Sequence, residues 1–250
     1  MSKVETADYL QLENMASELW RLSTAQPVTV TWLNHYSAQV VASDVSIRDF
    51  DFIGIDGLLL GYIVGGCVRS SADLIIPHLL KGRRLGRPTK VVAVGSSSEI
   101  CGAACAVFTS WADIEALSLN GYEDLRSDEF EDRVVRFDPD IAIIGLGAGL
   151  QEDVALRLSK KLSRGLILTC GGFLDQVVVP QYYPDWAYKY RLNWAVRLAR
   201  EPRRLGSRYS IDALRAVIHS SKLRSLVNGS AGFARMQDKF ALIGDDYVGR

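Results

Sequence analysis

The chain has 250 residues, of which 48% are hydrophobic and 23% are charged, and its formal net charge is zero. This length and composition fit one large α/β domain, with or without a small extension, and exclude an intrinsically disordered chain. A net charge of zero argues against attraction of the whole molecule to nucleic acid. The charge is unevenly spread, because residues 186–240 carry 12 Lys and Arg against three Asp and Glu, a net charge of +9.

The four cysteines, Cys67, Cys101, Cys105 and Cys170, do not lie in a cluster with histidines. A zinc site needs such a cluster, so buried, reduced thiols are expected, which favours a cytoplasmic protein. The N-terminal stretch "MSKVETADYLQLENM" is polar and acidic and does not resemble a secretory signal. No stretch reaches the roughly 18 apolar residues that suggest a membrane span.

Apolar periodicity predicts strands that alternate with helices along most of the chain. In chain order these are a helix over 9–22, strands over 28–33 and 50–56, a helix over 71–82, a strand over 89–96, a helix over 99–111, a strand and turn over 114–121, a helix over 127–137, a strand over 139–147, a helix over 150–162, a strand over 164–172 and an amphipathic helix over 210–227. Ser127 is the predicted N-cap of the helix at 127–137. Because most strands are apolar on both faces, the pattern predicts a mainly parallel sheet in a three-layer α/β domain.

Ligands of such sheets bind beyond the carboxyl ends of the strands. The polar or glycine residues expected there are Asn34, Asp56, Gly95 to Ser98, Gln151, Glu152 and Asp175. This set is the first indication of a functional site.

The segment "DPDIAIIGLGAGLQED", residues 138–153, contains the two motifs that most resemble known nucleotide sites. Gly145, Gly147 and Gly149 form G-x-G-x-G, which lacks the third glycine of the dinucleotide fingerprint, so a dinucleotide cofactor is not favoured. Asp138 and Asp140 resemble a metal-binding D-x-D. They precede their strand, however, at the end of the sheet opposite to the ligand edge, so a structural role is expected.

Asp56 closes an apolar strand and is followed by Gly57, which permits a sharp turn or the close approach of a ligand. A carboxylate there is either a general base or part of a tight turn, and composition leaves both open. The histidines, His35, His78 and His219, have no obvious partner in the sequence, so structural or solvated roles are expected.

The basic segment 186–240 interleaves aromatic and cationic residues in "WAYKYRLNWAVRLAREPRRLGSRY" and continues as an amphipathic helix. Three interpretations stay open at this point. The segment is a docked helix with a solvated basic face, a surface for anionic lipid, or a site for a diphosphate-bearing ligand.

Five ordered segments between residues 28 and 209 resemble motifs of the WecG/TagA/CpsF family of bacterial sugar transferases. They are "TWLNHYS", "GIDGLLLG", "VRSSADLIIPHLL", "PDIAIIGLGAGLQED" and "YYPDWAYKYRLNWAVRLAREPRRLGSRY". The chain departs from the family pattern at Gly149, Asn193 and Ser71, and at the tripeptide Tyr182-Tyr183-Pro184. These departures indicate a divergent member of exopolysaccharide type, and they leave the donor sugar and the acceptor open.

The resemblance implies a Rossmann-like catalytic domain over residues 1–185 and a basic helical appendage over 186–250 packed on it. It also implies an inverting, metal-independent transfer of a sugar from a UDP-sugar to a polyprenyl-diphosphate-linked sugar. The enzyme would then need no cofactor and would lie on the inner face of the cell membrane, with a homo-oligomer left open. The alternative from another class is a non-catalytic nucleotide-sugar-binding or scaffold protein of a polysaccharide assembly.

Under this resemblance Asp56 is the expected general base for the acceptor hydroxyl. Arg69 is expected to neutralise the leaving diphosphate with its guanidinium fork. Arg203, Arg204 and Arg208 are expected to grip the acceptor diphosphate, as an alternative to binding anionic lipid. The expected substrate contacts are Asn34, Arg69, Asp73, Gly95, Gly145, Gly147, Gln151, Glu152, Asp175, Arg203, Arg204 and Arg208.

Overall fold

A computed structural model describes residues 3–44, 47–67, 70–82, 86–184, 186–187 and 192–240. Its six strands form one all-parallel sheet in the order β2-β1-β6-β5-β3-β4. The strands are β1 (Pro27–Leu33), β2 (Phe52–Ile55), β3 (Thr89–Gly95), β4 (Ile114–Leu119), β5 (Ile141–Gly145) and β6 (Gly165–Thr169). The parallel sheet predicted from the apolar strands is therefore confirmed.

Helices cover both faces of the sheet. Up to residue 177 they are α1 (Lys3–Ser23), α2 (His35–Asp44), α3 (Leu58–Val64), α4 (Ala72–Gly82), α5 (Ser98–Trp111), α6 (Glu123–Arg126), α7 (Phe130–Phe137), α8 (Leu150–Ser159) and α9 (Phe173–Val177). Side chains of β3 alternate between two core clusters: Val91 and Ala93 join the cluster on one face, and Val92 and Val94 join that on the other. The predicted three-layer α/β architecture is confirmed.

The basic C-terminal segment folds as helices that share the core of the sheet. They are α10 (Asn193–Arg200), α11 (Pro202–Ile218), α12 (Ser220–Asn228) and α13 (Ala231–Phe240). Met236 and Phe240 of α13 belong to the cluster beneath α1, and Leu223 and Val227 of α12 belong to the cluster on the opposite face. A division of the chain between residues 185 and 186 stays a prediction.

Several elements differ from the pattern-based prediction, which also lacked the helices at 123–126, 173–177, 193–200 and 231–240. Ser127 does not cap the helix that follows it, because its hydroxyl accepts from the Glu129 amide at 3.2 Å and the helix begins at Phe130. A short hydroxyl-to-amide turn thus competes with the cap. The predicted helix over 210–227 is interrupted at His219, and short helices at 35–44 and 58–64 were not predicted.

The aspartates at 138 and 140 lie at the amino end of β5, opposite to the ligand edge. Asp140 is buried and accepts from both terminal nitrogens of Arg87, at 2.8 and 2.7 Å, and from Arg164 at 2.9 Å. Burial alone would raise the pKa of Asp140, but Arg87, the Lys90 amide and Arg164 hold it below its ordinary value. This D-x-D therefore has a structural role, as predicted from its place before β5. Asp140 joins the loop that carries Arg87 to the amino end of that strand.

Candidate active site

A cavity of about 1570 Å³ opens at the carboxyl edge of the sheet. Residues beyond the carboxyl ends of all six strands line one wall of it, and residues of α10 and α11 line another. Typical small-molecule pockets measure about 300–1000 Å³. The cavity is therefore larger than a typical pocket for one small molecule.

Asp56 lies in the wall of this cavity directly after β2. Its backbone amide donates to the Leu33 carbonyl at 2.7 Å, which extends the β1–β2 pairing by one residue. This bond fixes the backbone position of Asp56, whose side chain is half-buried. Gly57 follows with φ +100°, a backbone conformation that a side chain would strain. The turn thus presents a carboxylate at the strand end, as the sequence predicted.

Arg197 of α10 faces the same cavity and was not singled out from the sequence. Its Nη2 lies 3.4 Å from the point where a side chain at Gly172 would begin, so the guanidinium reaches across to the end of β6. Burial opposes the charged form, but Tyr183, Tyr209 and the Asp56 carboxylate together raise the pKa of Arg197 above its ordinary value. The wall on α10 therefore supplies a permanent cation to the cavity that Asp56 also lines.

Two buried polar atoms of this wall, Asn193 Oδ1 and Arg197 Nε, have no hydrogen-bond partner among the described residues. Both side chains line the cavity. They are four residues apart in "NWAVRLAR", and that spacing places them on one face of a helix. This spacing was the signal that the sequence interpretation did not use.

The glycines predicted to approach a ligand separate into two kinds. Gly145 and Gly147 line the cavity, and Gly147 has φ +83° with open space where a side chain would lie. Gly95 is not among the lining residues; a side chain there would lie 2.3 Å from the Gly145 carbonyl oxygen, so this glycine permits close strand approach. Ser96, one residue later, takes the position on the cavity wall.

Gln151 and Glu152 lie at the start of α8 and belong to one buried hydrogen-bond network. Glu152 is fully buried; its Oε2 accepts from the Gly149 amide at 2.7 Å, and its Oε1 accepts from Gln151 Nε2 at 2.8 Å and from Thr31 Oγ1 at 3.2 Å. Gln151 Oε1 in turn accepts from the Gly171 amide at 3.1 Å. Glu152 thus caps its own helix and does not line the cavity, whereas Gln151 does.

The pKa of Glu152 is raised because burial disfavours the charged carboxylate, while hydrogen bonds from Gln151, Gly149 and Thr31 offset part of that effect. The network joins the ends of three neighbouring strands: Thr31 on β1, Gly149 after β5 and Gly171 after β6. These bonds fix the orientation of the Gln151 side-chain amide. Its Nε2 donates to the Glu152 carboxylate, and its Oε1 accepts from the Gly171 backbone N–H.

Three further predicted residues line the cavity with defined partners. Asn34 Oδ1 caps α2 by accepting from the amides of Tyr36 and Ser37, at 2.9 and 3.0 Å. Asp73 accepts from Ser71 Oγ in the first turn of α4. Asp175 is exposed and accepts from Ser96 Oγ at 2.9 Å.

The predicted arginines do not share one location. Arg208 lines the cavity, and its guanidinium lies 4.0 Å from the centroid of the Tyr36 ring. Arg203 is exposed and is not among the lining residues. Arg69 and the side chain of Arg204 lie outside what the structure describes.

His35 has a structural position, as expected from the sequence. It is buried, its Nε2 donates to the Arg208 carbonyl at 2.9 Å, and its ring lies 5.8 Å from that of Tyr209. Burial lowers the pKa of His35. The neutral ring therefore joins α2 to α11 in the wall of the cavity.

Within the described ranges, no three His, Cys, Asp or Glu side chains are grouped so as to hold a metal ion. Among the helices that the structure describes, none is both long enough and apolar enough to cross a bilayer.

Comparison with known proteins agrees with the motifs in the cavity wall. The model of the glycosyl transferase WecG/TagA/CpsF family matches residues 63–228. A protein of Shigella boydii, UDP-Gal:alpha-D-GlcNAc-diphosphoundecaprenol beta-1,4-galactosyltransferase, is 31% identical over 195 residues, which span 72% of this chain and 81% of that protein.

Proposed function

Because the chain belongs to the WecG/TagA/CpsF family and is a glycosyltransferase, we propose that it moves a sugar from a UDP-sugar to a saccharide linked to a polyprenyl diphosphate. The product would enter the biosynthesis of a cell-surface polysaccharide, of exopolysaccharide type. The single observation that carries the proposal is that Asp56 and Arg197 line the same cavity at the sheet edge.

The donor is assigned to the glycine loops that follow β5 and β6. Gly147 leaves its backbone open, and Gln151 presents an amide whose orientation the Glu152 network sets. This part of the wall is supported by hydrogen bonds within the sheet edge, so it is formed before the donor arrives.

In the proposed reaction the acceptor hydroxyl oxygen attacks the anomeric carbon of the donor sugar. The carbon–oxygen bond to the diphosphate breaks on the opposite face, the nucleoside diphosphate leaves with the electron pair, and the configuration inverts. Asp56 takes the hydroxyl proton as the new bond forms. A single carboxylate at this position is sufficient for a one-step displacement.

The leaving diphosphate gains negative charge, and cations close to it lower the barrier. Arg197 and Arg208 supply positive charge on the wall formed by α10 and α11. A guanidinium offers two parallel donors that match phosphate oxygens. We assign the diphosphate stabilisation to these arginines and expect turnover to persist in the presence of EDTA.

The surface of α11 supports attachment to the bilayer in which a polyprenyl acceptor resides. The apolar side chains Ile211, Leu214, Val217 and Ile218 are each more than half exposed. Three of these positions, 211, 214 and 218, follow helical spacing, so they form one apolar stripe. In a segment of net charge +9, such a stripe favours peripheral binding to an anionic leaflet, which we place at the inner face of the cell membrane.

A transfer assay tests the function. Purified protein is incubated with a series of UDP-sugars and a short-chain, water-soluble diphosphate-linked saccharide, and UDP release and radiolabelled product are measured. We expect UDP release that depends on the acceptor with at least one donor, with or without EDTA. Binding of UDP-sugars without transfer to any lipid-linked acceptor would overturn the proposal.

A further inference from the structure

The helix that follows Asp56 is bounded by glycines with positive φ. Helix α3 spans Leu58–Val64, Gly57 precedes it with φ +100°, and Gly65 and Gly66 follow with φ +95° and +96°. Glycines restrict the backbone less than other residues, so these two ends can change direction at little cost. The position of α3 must therefore be set by what holds it.

The contacts that hold α3 come from the basic C-terminal segment. Arg224 Nε donates to the Ile63 carbonyl at 2.6 Å, and Asn228 Nδ2 donates to the Val64 carbonyl at 3.2 Å. Arg224 and Asn228 are four residues apart on α12, so both reach α3 from one face. Carbonyls in the last turn of a helix lack partners within the helix, and a cation there also meets the negative end of its dipole.

Apolar packing also holds α3 against α12. Leu60, Ile63 and Val64 of α3 are buried in one cluster with Leu223 and Val227 of α12. The other face of α3 is open: Leu58 is 39% exposed and Tyr62 is 78% exposed, and both line the cavity. Helix α3 thus forms part of the wall beside Asp56, seated on α12.

We propose that Arg224 and Asn228 are positioning residues that set the acceptor side of the active site through α3. The inference rests on the proposed function, because it concerns how the acceptor hydroxyl meets Asp56. The donor loops lie after β5 and β6, whereas α3 follows β2 at the edge of the sheet. Releasing the end of α3 should therefore change acceptor use and leave donor binding intact.

The test compares three variants of the full-length protein. Arg224→Met keeps the aliphatic stem and loses the donors, Arg224→Lys keeps a charge and a donor, and Lys222→Met is the matched control on an exposed position of the same helix. Measured quantities are kcat, the acceptor KM and the donor Kd, with a water-soluble acceptor so that membrane binding does not enter. Hydrogen exchange of residues 57–66 reports on α3 itself.

For Arg224→Met we expect kcat over acceptor KM to fall about 10- to 100-fold, as for other small misplacements of reacting groups, with donor Kd unchanged. Exchange in residues 57–66 should become faster. Arg224→Lys should retain most of the activity, and Lys222→Met should match the wild type in both measurements.

Wild-type kinetics for Arg224→Met, an equal loss of donor affinity, or an equal effect of Lys222→Met would each overturn the inference. If Arg224→Met does not fold, Asn228→Ala removes one hydrogen bond and is judged by the same outcomes. If the wild type transfers no sugar at all, the proposed function fails. The exchange comparison still decides whether α12 holds α3.

Discussion

The two walls of the cavity differ in how their polar groups are held. The wall on the sheet edge is internally bonded: Glu152 joins Thr31, Gly149 and Gln151, and Gln151 joins Gly171. The wall on α10 and α11 combines aromatic rings with arginines, and the buried Arg197 Nε has no partner among the described residues. The polar groups of the sheet wall are thus held in place by hydrogen bonds within the protein. The helical wall instead keeps a cationic donor that can bind a negatively charged substrate group.

Replacement of the carboxylate between the walls should have the largest effect. We expect Asp56→Asn to fold normally and to lose turnover by about 100-fold or more, because an amide cannot take the acceptor proton. Circular dichroism checks the fold, and steady-state assays with saturating substrates give kcat. Asp153→Asn, an exposed position on α8, is the matched control and should keep full activity. An active Asp56→Asn enzyme would remove Asp56 from the role of base.

The helical wall can be tested by changing its cation. Arg197→Met should lower kcat by about 100-fold, the lower end of the cost of removing one transition-state donor. Arg197→Lys should also be impaired, because an ammonium does not reproduce the fork. Arg215→Met serves as the control, as Arg215 is exposed on α11 and pairs with Asp212 at 3.3 Å. Normal kinetics of Arg197→Lys would show that a positive charge at this position is sufficient and that the two parallel donors of the guanidinium are not needed.

The sheet wall should respond in donor affinity more than in kcat. In Glu152→Gln, an NH₂ group replaces one carboxylate oxygen and faces an N–H or O–H group of Gly149, Gln151 or Thr31. Two hydrogen-bond donors then face each other, so the Gln151 amide is no longer held in its orientation. We expect donor Kd to rise about 10-fold, measured by calorimetry with UDP. Gln151→Ala should show a similar rise. Unchanged affinity in both variants would remove this loop from the donor site.

Two buried carboxylates at opposite ends of β5 should give opposite pH responses. The lowered pKa of Asp140 means that its bridges stabilise the fold above its ordinary pKa of 3.8 and are lost as the pH falls through the folded value. The pKa of Glu152 is raised in the folded state, so protonation of Glu152 favours folding. This contribution to the free energy of unfolding is complete below pH 4.5 and is lost as the pH rises through the pKa of the folded state.

Asp140→Asn should therefore lower the free energy of unfolding at pH 7 by up to about 3 kcal/mol, with a smaller difference at pH 3. The difference between Glu152→Gln and the wild type should instead shift in favour of the wild type as the pH falls. Urea unfolding at both pH values measures both. A larger effect of Asp140→Asn in acid than at pH 7 would contradict the assignment.

The apolar stripe on α11 should matter least for the chemistry itself. Replacing Ile211, Leu214 and Ile218 with Ser should weaken sedimentation with anionic vesicles, because less apolar area enters the interface. Transfer to a water-soluble acceptor should be unchanged, which separates attachment from catalysis. Unaltered vesicle binding would show that the stripe does not face the bilayer.

Much of the fold and part of the site follow from local chemistry in the sequence. Runs of β-branched and apolar residues predicted the six strands, because a strand buried on both faces, as five of these are, requires such residues. The position of Asp56 followed in the same way, since a polar residue and a glycine after a buried strand mark its carboxyl end. The structural role of Asp140 followed from its place before β5, at the opposite end.

Tertiary structure alone decided which side chains share the cavity. Arg197 is 141 positions from Asp56, and only the packing of α10 against the sheet edge brings both side chains to one cavity. Glu152 looked like a ligand contact because it follows a glycine loop, but burial of α8 turns it into the cap that orients Gln151. Local patterns report propensity and periodicity, whereas contacts between distant segments depend on how whole helices and strands pack. For that reason the sequence by itself determined the sheet and its polar edge, and the folded chain determined how the two walls meet.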